Sequence, residues 1–283
     1  MMNERKRAAL VGTVCGTGRR SMAAALPVLA AAGIEVCLAP ACFEPSPAAE
    51  DLRRDLSGEL PACADQWKKL GYSFDAVIFG FPETEKQAGV FSHFLNAFRE
   101  KDNLVLLGSS GWNGRENRSG PAPEETKLAR RFCAQAGLAI LPVGDAAALL
   151  GEREHRGPWD RKTVENVLCG VCSLGAKSAV ATGVWFSPDL MGSAVYDSES
   201  GNASYAFSHR IGGEWPGAGD LFGAAMIAGL LRGMHQSAAM QLAVDFTADC
   251  IRRTRESGRD GGFGLEFEAC LPKLMSHLGV LKQ

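Results

Sequence analysis

Short apolar or β-branched runs at 8–14, 34–39, 74–79, 104–107, 138–141 and 178–182 read as strands. Between them lie stretches with helical spacing, at 19–32, 83–99, 124–136, a short one ending at Leu150, and 160–174. This alternation restricts the fold more than any other feature. Strands that alternate with helices are joined by crossovers, so they form a mostly parallel sheet covered by helices on both faces.

The pattern then changes. Two strand-like runs, 192–196 and 204–209, flank the turn-rich insert DSESGNA and predict an antiparallel hairpin added to the sheet edge. Helical spacing follows at 220–232, 237–255 and 266–277. No internal repeat or low-complexity linker interrupts the chain, so residues 1–283 are expected to form a single domain. The longest loops, 41–60 and 108–123, are long enough to serve as lids or binding loops.

Composition excludes several classes. A formal net charge of -2 gives no electrostatic basis for binding nucleic acid or an anionic membrane. No long uncharged apolar stretch predicts a membrane span. The segment MAAALPVLAAA (22–32) has the composition of a signal-peptide core, but a strand precedes it and an amphipathic helix fits it better. The cysteine count is nine, which is odd, and the spacing suggests no disulfide framework; a reducing, cytoplasmic setting is expected. Cys169 and Cys172 form a C-x-x-C within a helical stretch and read as small apolar residues rather than a metal pair. His93, His155, His209, His235 and His277 are dispersed without metal-ligand spacing.

The most informative local stretch is GEWPGAGDLFGAAMIAGLLRG (213–233). Glycines permit positive φ and close approach to the backbone. The first amides of a helix lack internal partners and carry the positive end of its dipole. Together they form a cup for an anion such as phosphate. A carboxylate beside that cup, Asp220, is placed to take a proton from a hydroxyl attacking a phosphoryl group. A plain N-cap is the other reading of the same aspartate.

PGAGDLFGAAMIAGLLRG resembles the anion-hole signature G-[TA]-G-D-x-F of the ribokinase-like superfamily, and within it the bacterial pyridoxal kinases. GTGRRSMAAALPVLAAAGIEVCLAP (16–40) is similar to their first strand–helix–strand, S-G-x-G-R-x-S-x-x-A-A-L-P-x-L. QWKKLGYSFDAVIFGF (66–81) and GLEFEACLPKLM (264–275) resemble their third strand with its preceding helix and their C-terminal helix. The resemblance spans nearly the whole chain. It implies a ribokinase-like three-layer α/β/α sandwich and a homodimer. It also implies ATP-dependent phosphorylation of the hydroxymethyl group of pyridoxal, pyridoxine or a related heterocycle, with Mg2+. Asp220 is then the catalytic base, and the amides of Gly217, Ala218 and Gly219 form the anion hole. Cys15 lies in the substrate pocket and Thr182 on the nucleotide side.

The family pattern is broken at several places. Cys15 replaces a serine, and the lid stretch 40–50, PACFEPSPAAE, lacks S-N-x-T-G. The strand that should end D-P-V-M-G-D reads VLLGSSGWNG (105–114), with neither aspartate. Where T-P-N-x-x-E is expected, LPVGDAA places Val143 and Ala146 in the Asn and Glu positions, with Asp145 one residue away. Mg2+ favours carboxylate and phosphate oxygens, and each lost transition-state contact of this kind is worth ~3 kcal/mol, or ~100-fold in rate. Trp112, Asn113, Arg115 and Arg118 are expected to border the nucleotide end, and Arg210, Glu214 and Trp215 the approach to the anion hole. A hydroxymethylpyrimidine kinase and a non-catalytic binder of a vitamin, phosphate ligand or nucleotide remain the alternatives.

Overall fold

The computed structural model describes residues 6–46, 52–100, 103–107, 123–152, 155, 157–259 and 261–281. Its first half runs β1 (Arg7–Cys15), α1 (Met22–Ala31), β2 (Glu35–Glu44), β3 (Arg54–Asp55), α2 (Leu60–Lys69), β4 (Ala76–Phe79), α3 (Glu85–Phe98), β5 (Leu104–Leu107) and α4 (Pro123–Cys133). It continues with β6 (Leu138–Pro142), α5 (Val143–Leu149), α6 (Arg161–Ser173), β7 (Ser178–Ser187), β8 (Leu190–Asp197) and β9 (Asn202–His209). Helices α7 (Ala218–Leu231), α8 (Gln236–Glu256) and α9 (Leu271–His277) complete it.

All the strands join one sheet in the order β3-β2-β1-β4-β5-β6-β7-β8-β9. The run from β2 to β7 is parallel, and β3, β8 and β9 pair antiparallel at the two edges. Strand residues alternate between two cores, as a sheet covered on both faces requires. Ala9, Val11, Val77, Phe79, Ala139 and Leu141 face a core completed by α2 to α6, with Phe94, Phe132 and Val167 fully buried. Ala8, Leu10, Ile78, Ile140 and Val180 face the other, completed by α1, α7, α8 and α9 through Leu29, Met226, Met240 and Leu274. The expected three-layer α/β/α sandwich with an antiparallel edge hairpin is therefore present.

Two elements, α1 and β2, differ from expectation. Helix α1 begins at Met22, not at 19, because Ser21 takes φ 51 and ψ -129, which no helix accommodates. It is apolar nearly all round rather than amphipathic, and it packs between the sheet, α7 and α9. Strand β2 continues past Pro40 to Glu44; a register shift opposite Gly12 and Thr13 absorbs the missing N–H. Helix α2 occupies residues that follow the expected 41–60 loop directly, with Pro61 tolerated in its first turn. No helix among the described residues is long and apolar enough to cross a membrane.

Candidate active site

The parallel strands end at one edge of the sheet, where their following loops diverge. The chain leaves β1 toward α1 on one face, whereas after β4 it turns to α3 on the other. Such a switch point between neighbouring parallel strands leaves a crevice at their carboxyl ends. Residues 16–21, following β1, lie at this crevice.

Their path is fixed by contacts distant in sequence. The Arg19 amide donates to the Phe263 carbonyl at 2.6 Å, and Arg19 pairs as an isolated bridge with Gly264. The Arg19 guanidinium also binds Glu268 at 2.6 Å. Gly217, the N-cap of α7, has φ 83, and a Cβ there would sit 2.6 Å from the Arg19 carbonyl oxygen. This glycine is therefore required by the packing of one backbone against another. A Cβ on Gly219 would meet nothing within 4 Å, so this is the glycine whose backbone is open to a ligand.

The amides at the start of α7 also differ. Ala218 donates to the Trp215 carbonyl at 3.1 Å and so is already engaged. No backbone acceptor among the described residues takes up the Gly219 or Asp220 amide. Asp220 is 8% exposed, and its Oδ2 accepts from the Ser21 amide at 2.8 Å. Burial raises its pKa above the usual aspartate range, opposed by the Ser21 hydrogen bond and the charge of Arg20. Ser21 is the single non-glycine residue with positive φ among the described residues. Its strained backbone aims its N–H at the carboxylate, and local strain of this kind clusters at functional sites.

Cys15 ends β1 in the same crevice. Its thiol donates to Glu44 Oε2 at 3.4 Å, across from the end of β2. Burial, then the nearby Glu44 carboxylate, pushes the thiol up to about 12, so Cys15 presents a neutral S–H at neutral pH. Beside it, Arg53 makes two bonds to Glu83, at 3.0 and 2.7 Å, and one to Cys42 Sγ at 3.0 Å. This ion pair ties the strand after the lid stretch to the segment following β4. Neither Glu44 nor the Arg53–Glu83 pair carries a local sequence signal, because each contact joins separate strand ends.

Other expected residues are more scattered. Thr182 lies in the middle of β7, opposite Pro142 at the carboxyl end of β6, its hydroxyl 3.5 Å from the Leu141 carbonyl. Val143 and Ala146 are buried in α5. Asp145 is 1% exposed, and burial pushes it up to about 7. Arg210 stacks 4.1 Å over the Trp185 ring, so its charge faces an indole. Cys172 is buried and Cys169 exposed on α6, both as free thiols. Residues 47–50, Trp112, Asn113, Arg115 and Arg118 lie outside the described residues. Among the described residues, no three His, Cys, Asp or Glu side chains come together as a metal site.

A cavity of about 590 Å³ adjoins the start of α7. Its lining includes Glu214, Trp215, several glycines, Arg255 in the last turn of α8 and Arg259 just beyond that helix. The Trp215 indole packs over Gly213 and Gly261, where a Cβ would approach within 3.3 and 3.2 Å of the ring.

No protein-family model matches the sequence, and no curated protein matches it. Solved structures do match. One, from Bacteroides thetaiotaomicron, assigned as a phosphomethylpyrimidine kinase and crystallised with pyridoxal, superposes with TM-score 0.84 at 22% identity, covering 99% of this chain and 98% of that one. Pyridoxal kinase from Lactobacillus plantarum gives TM-score 0.83 at 21% identity, covering 98% and 99%. The fold is ribokinase-like. Pyridoxal kinase from Leishmania donovani, in complex with ADP and pyridoxamine, gives 0.79 at 14% identity, with 95% of each chain covered. These ribokinase-like neighbours match the chain end to end. The likeness is one of fold, and the chemistry rests on the residues of the site.

Proposed function

We propose that the chain is a kinase that moves the γ-phosphoryl group of ATP to the hydroxymethyl group of pyridoxal, pyridoxine or a related heterocycle. The observation that carries this reading is the start of α7. A buried carboxylate with raised pKa, Asp220, stands beside the open Gly219 backbone at the positive end of a 14-residue helix. In this reaction the acceptor oxygen attacks phosphorus, its proton passes to Asp220, and ADP leaves with the electrons of the broken P–O bond. The Gly217 to Asp220 backbone holds the developing charge, with Gly219 and Asp220 supplying the open amides. Cys15 and Glu44 face the acceptor ring. The cavity beside Trp215, with Arg255 and Arg259, takes the nucleotide, and Thr182 lies on that side. The solved structures of the same fold that hold ADP with pyridoxamine, or pyridoxal, support this assignment of ligands.

The described carboxylates do not assemble a protein-held magnesium site. Mg2+ enters this scheme with the nucleotide as MgATP, and no step here passes through a protein-bound ion. The replaced positions Val143 and Ala146, and the strand end 105–114 without an aspartate, favour a second reading, a binder that keeps the anion cup without turning over. The test is incubation with MgATP and either pyridoxal or hydroxymethylpyrimidine, following the phosphorylated product. Turnover that falls about 10³-fold in Asp220→Ala is the expected result. Ligand-induced thermal stabilisation without product indicates the binder instead, and turnover undiminished in Asp220→Ala rules out this mechanism.

A further inference from the structure

Residues 19 and 20 are both arginine, and the structure uses them differently. Arg19 is tied to the C-terminal segment through Glu268 and Phe263. The half-buried Arg20 guanidinium has no hydrogen-bond acceptor or ion pair among the described residues. It is nonetheless close to the reacting groups. Its Cγ lies 3.5 Å from the position a Cβ on Gly217 would take. Its neighbour Ser21 donates to Asp220 at 2.8 Å. Its charge also reaches both the Asp220 carboxylate and the Cys15 thiol. The loop pattern that the sequence resembles specifies arginine at position 19 and leaves position 20 open, so this cation belongs to this chain rather than to the pattern.

We propose that Arg20 is a further catalytic residue, a phosphoryl-binding arginine that grips the γ-phosphate beside the Gly219 amide. This rests on the kinase reading and adds to it. A guanidinium presents a planar fork of N–H donors that fits two phosphate oxygens at once. During transfer, charge spreads over the three equatorial oxygens of the moving phosphoryl group. That charge needs neutralising as it develops. A cation at the lip of the anion cup supplies part of the same neutralisation. When the phosphoryl group arrives, Arg20 turns toward it. Asp220 then loses a nearby positive charge at the moment it accepts the acceptor's proton. The bond between γ-phosphorus and the bridging oxygen breaks as the bond to the acceptor oxygen forms, and ADP departs with the electron pair.

The experiment compares two nucleotides by calorimetric titration, each with Mg2+: AMP-PNP, which carries a γ-phosphoryl group, and ADP, which does not. Arg20→Gln keeps much of the side-chain stem, Arg20→Lys keeps the charge, and melting curves establish that both fold. Arg20→Gln is expected to bind AMP-PNP about 10-fold more weakly or worse with ADP affinity unchanged, and Arg20→Lys to fall between. Its kcat is expected to drop about 100-fold, with little change in KM for the acceptor. The acid limb of its pH–rate profile also moves to higher pH, because Asp220 has lost a cation that favoured its ionised form. Equal losses for both nucleotides, or none for AMP-PNP, overturn the proposal. Should the parent protein bind neither nucleotide, the kinase reading falls by itself. Inorganic phosphate is then titrated: affinity 10-fold weaker in Arg20→Gln keeps the anion role, and equal affinity ends it.

Discussion

Burial makes Asp220 expensive to keep charged and, in the proposed kinase, suits it to act as a base. Apolar surroundings disfavour its charged form, and a single backbone N–H with a nearby arginine offsets this only in part. The sign of the stability effect follows. Its folded pKa lies above its unfolded value of about 4, so the stability it contributes is fully present below that value. It is lost as pH rises through the raised folded pKa. Asp220→Asn removes the charge yet keeps an oxygen for the Ser21 N–H. The variant should therefore be close to parent in melting temperature near pH 4 and several degrees more stable by pH 8, while catalysis is lost. At ~2–4 °C per kcal/mol for a chain approaching this size, a shift of that order corresponds to about 1–2 kcal/mol. Thermal melts of both proteins across that pH range check it; a gap that closes as pH rises would contradict the burial argument. The residue itself was legible in the sequence because the glycines and the helix start are local. Its partners were not. Ser21 lies 199 positions away, and Glu44 reaches Cys15 only through strand pairing.

Among the elements, the loop between β1 and α1 holds the site together, and it does so by backbone contact. The Arg19 carbonyl is clamped between Gly217 and Gly264, where added Cβ atoms would lie 2.6 and 2.3 Å away. Gly264 also has φ +100, so alanine is strained there even before the clash. Gly264→Ala should cost about 2–4 kcal/mol and displace the Arg19–Ser21 backbone, lowering kcat at least ~10-fold. Gly71→Ala is the control: φ is +73, a Cβ meets nothing within 4 Å, and α2 lies away from the crevice, so about 1 kcal/mol is lost and kcat holds. Urea midpoints with steady-state kinetics separate the two. Equal kinetic behaviour would mean the clamp does not position the site. The sequence showed these glycines but not which carbonyl required them. Strands β1, β4 and β6 were legible because buried parallel strands are short apolar runs. The extension of β2 beyond Pro40 was hidden because proline normally ends a central strand, and the compensating bulge, at Ala41, shows only in the pairing with β1. The extension of β7 past Gly183 was hidden likewise, since a register shift there carries the strand on to pair with β8.

On the scale of the whole molecule, the sheet separates two cores that share no helix. One lies under α2 to α6 with a cluster of Phe79, Phe91, Phe94 and Phe132; the other lies under α1, α7, α8 and α9. The crevice needs both. The loop after β1 leads to α1 on the second face, while the Arg53–Glu83 pair anchors to the segment before α3 on the first. Each strand contributes alternate residues to both cores, so loosening one face withdraws support from the backbone that the other packs on. The chain should therefore melt as one unit. Phe94→Ala and Met240→Ala empty fully buried sites on opposite faces, at a cost of about 3–5 and 2–5 kcal/mol. In scanning calorimetry each is expected to shift one common transition downward by roughly 5–15 °C. The turnover proposed above should then disappear at the same shifted temperature in either variant. Were the faces independent, each variant would split the transition and move only its own half, and the site would outlast the melting of one core.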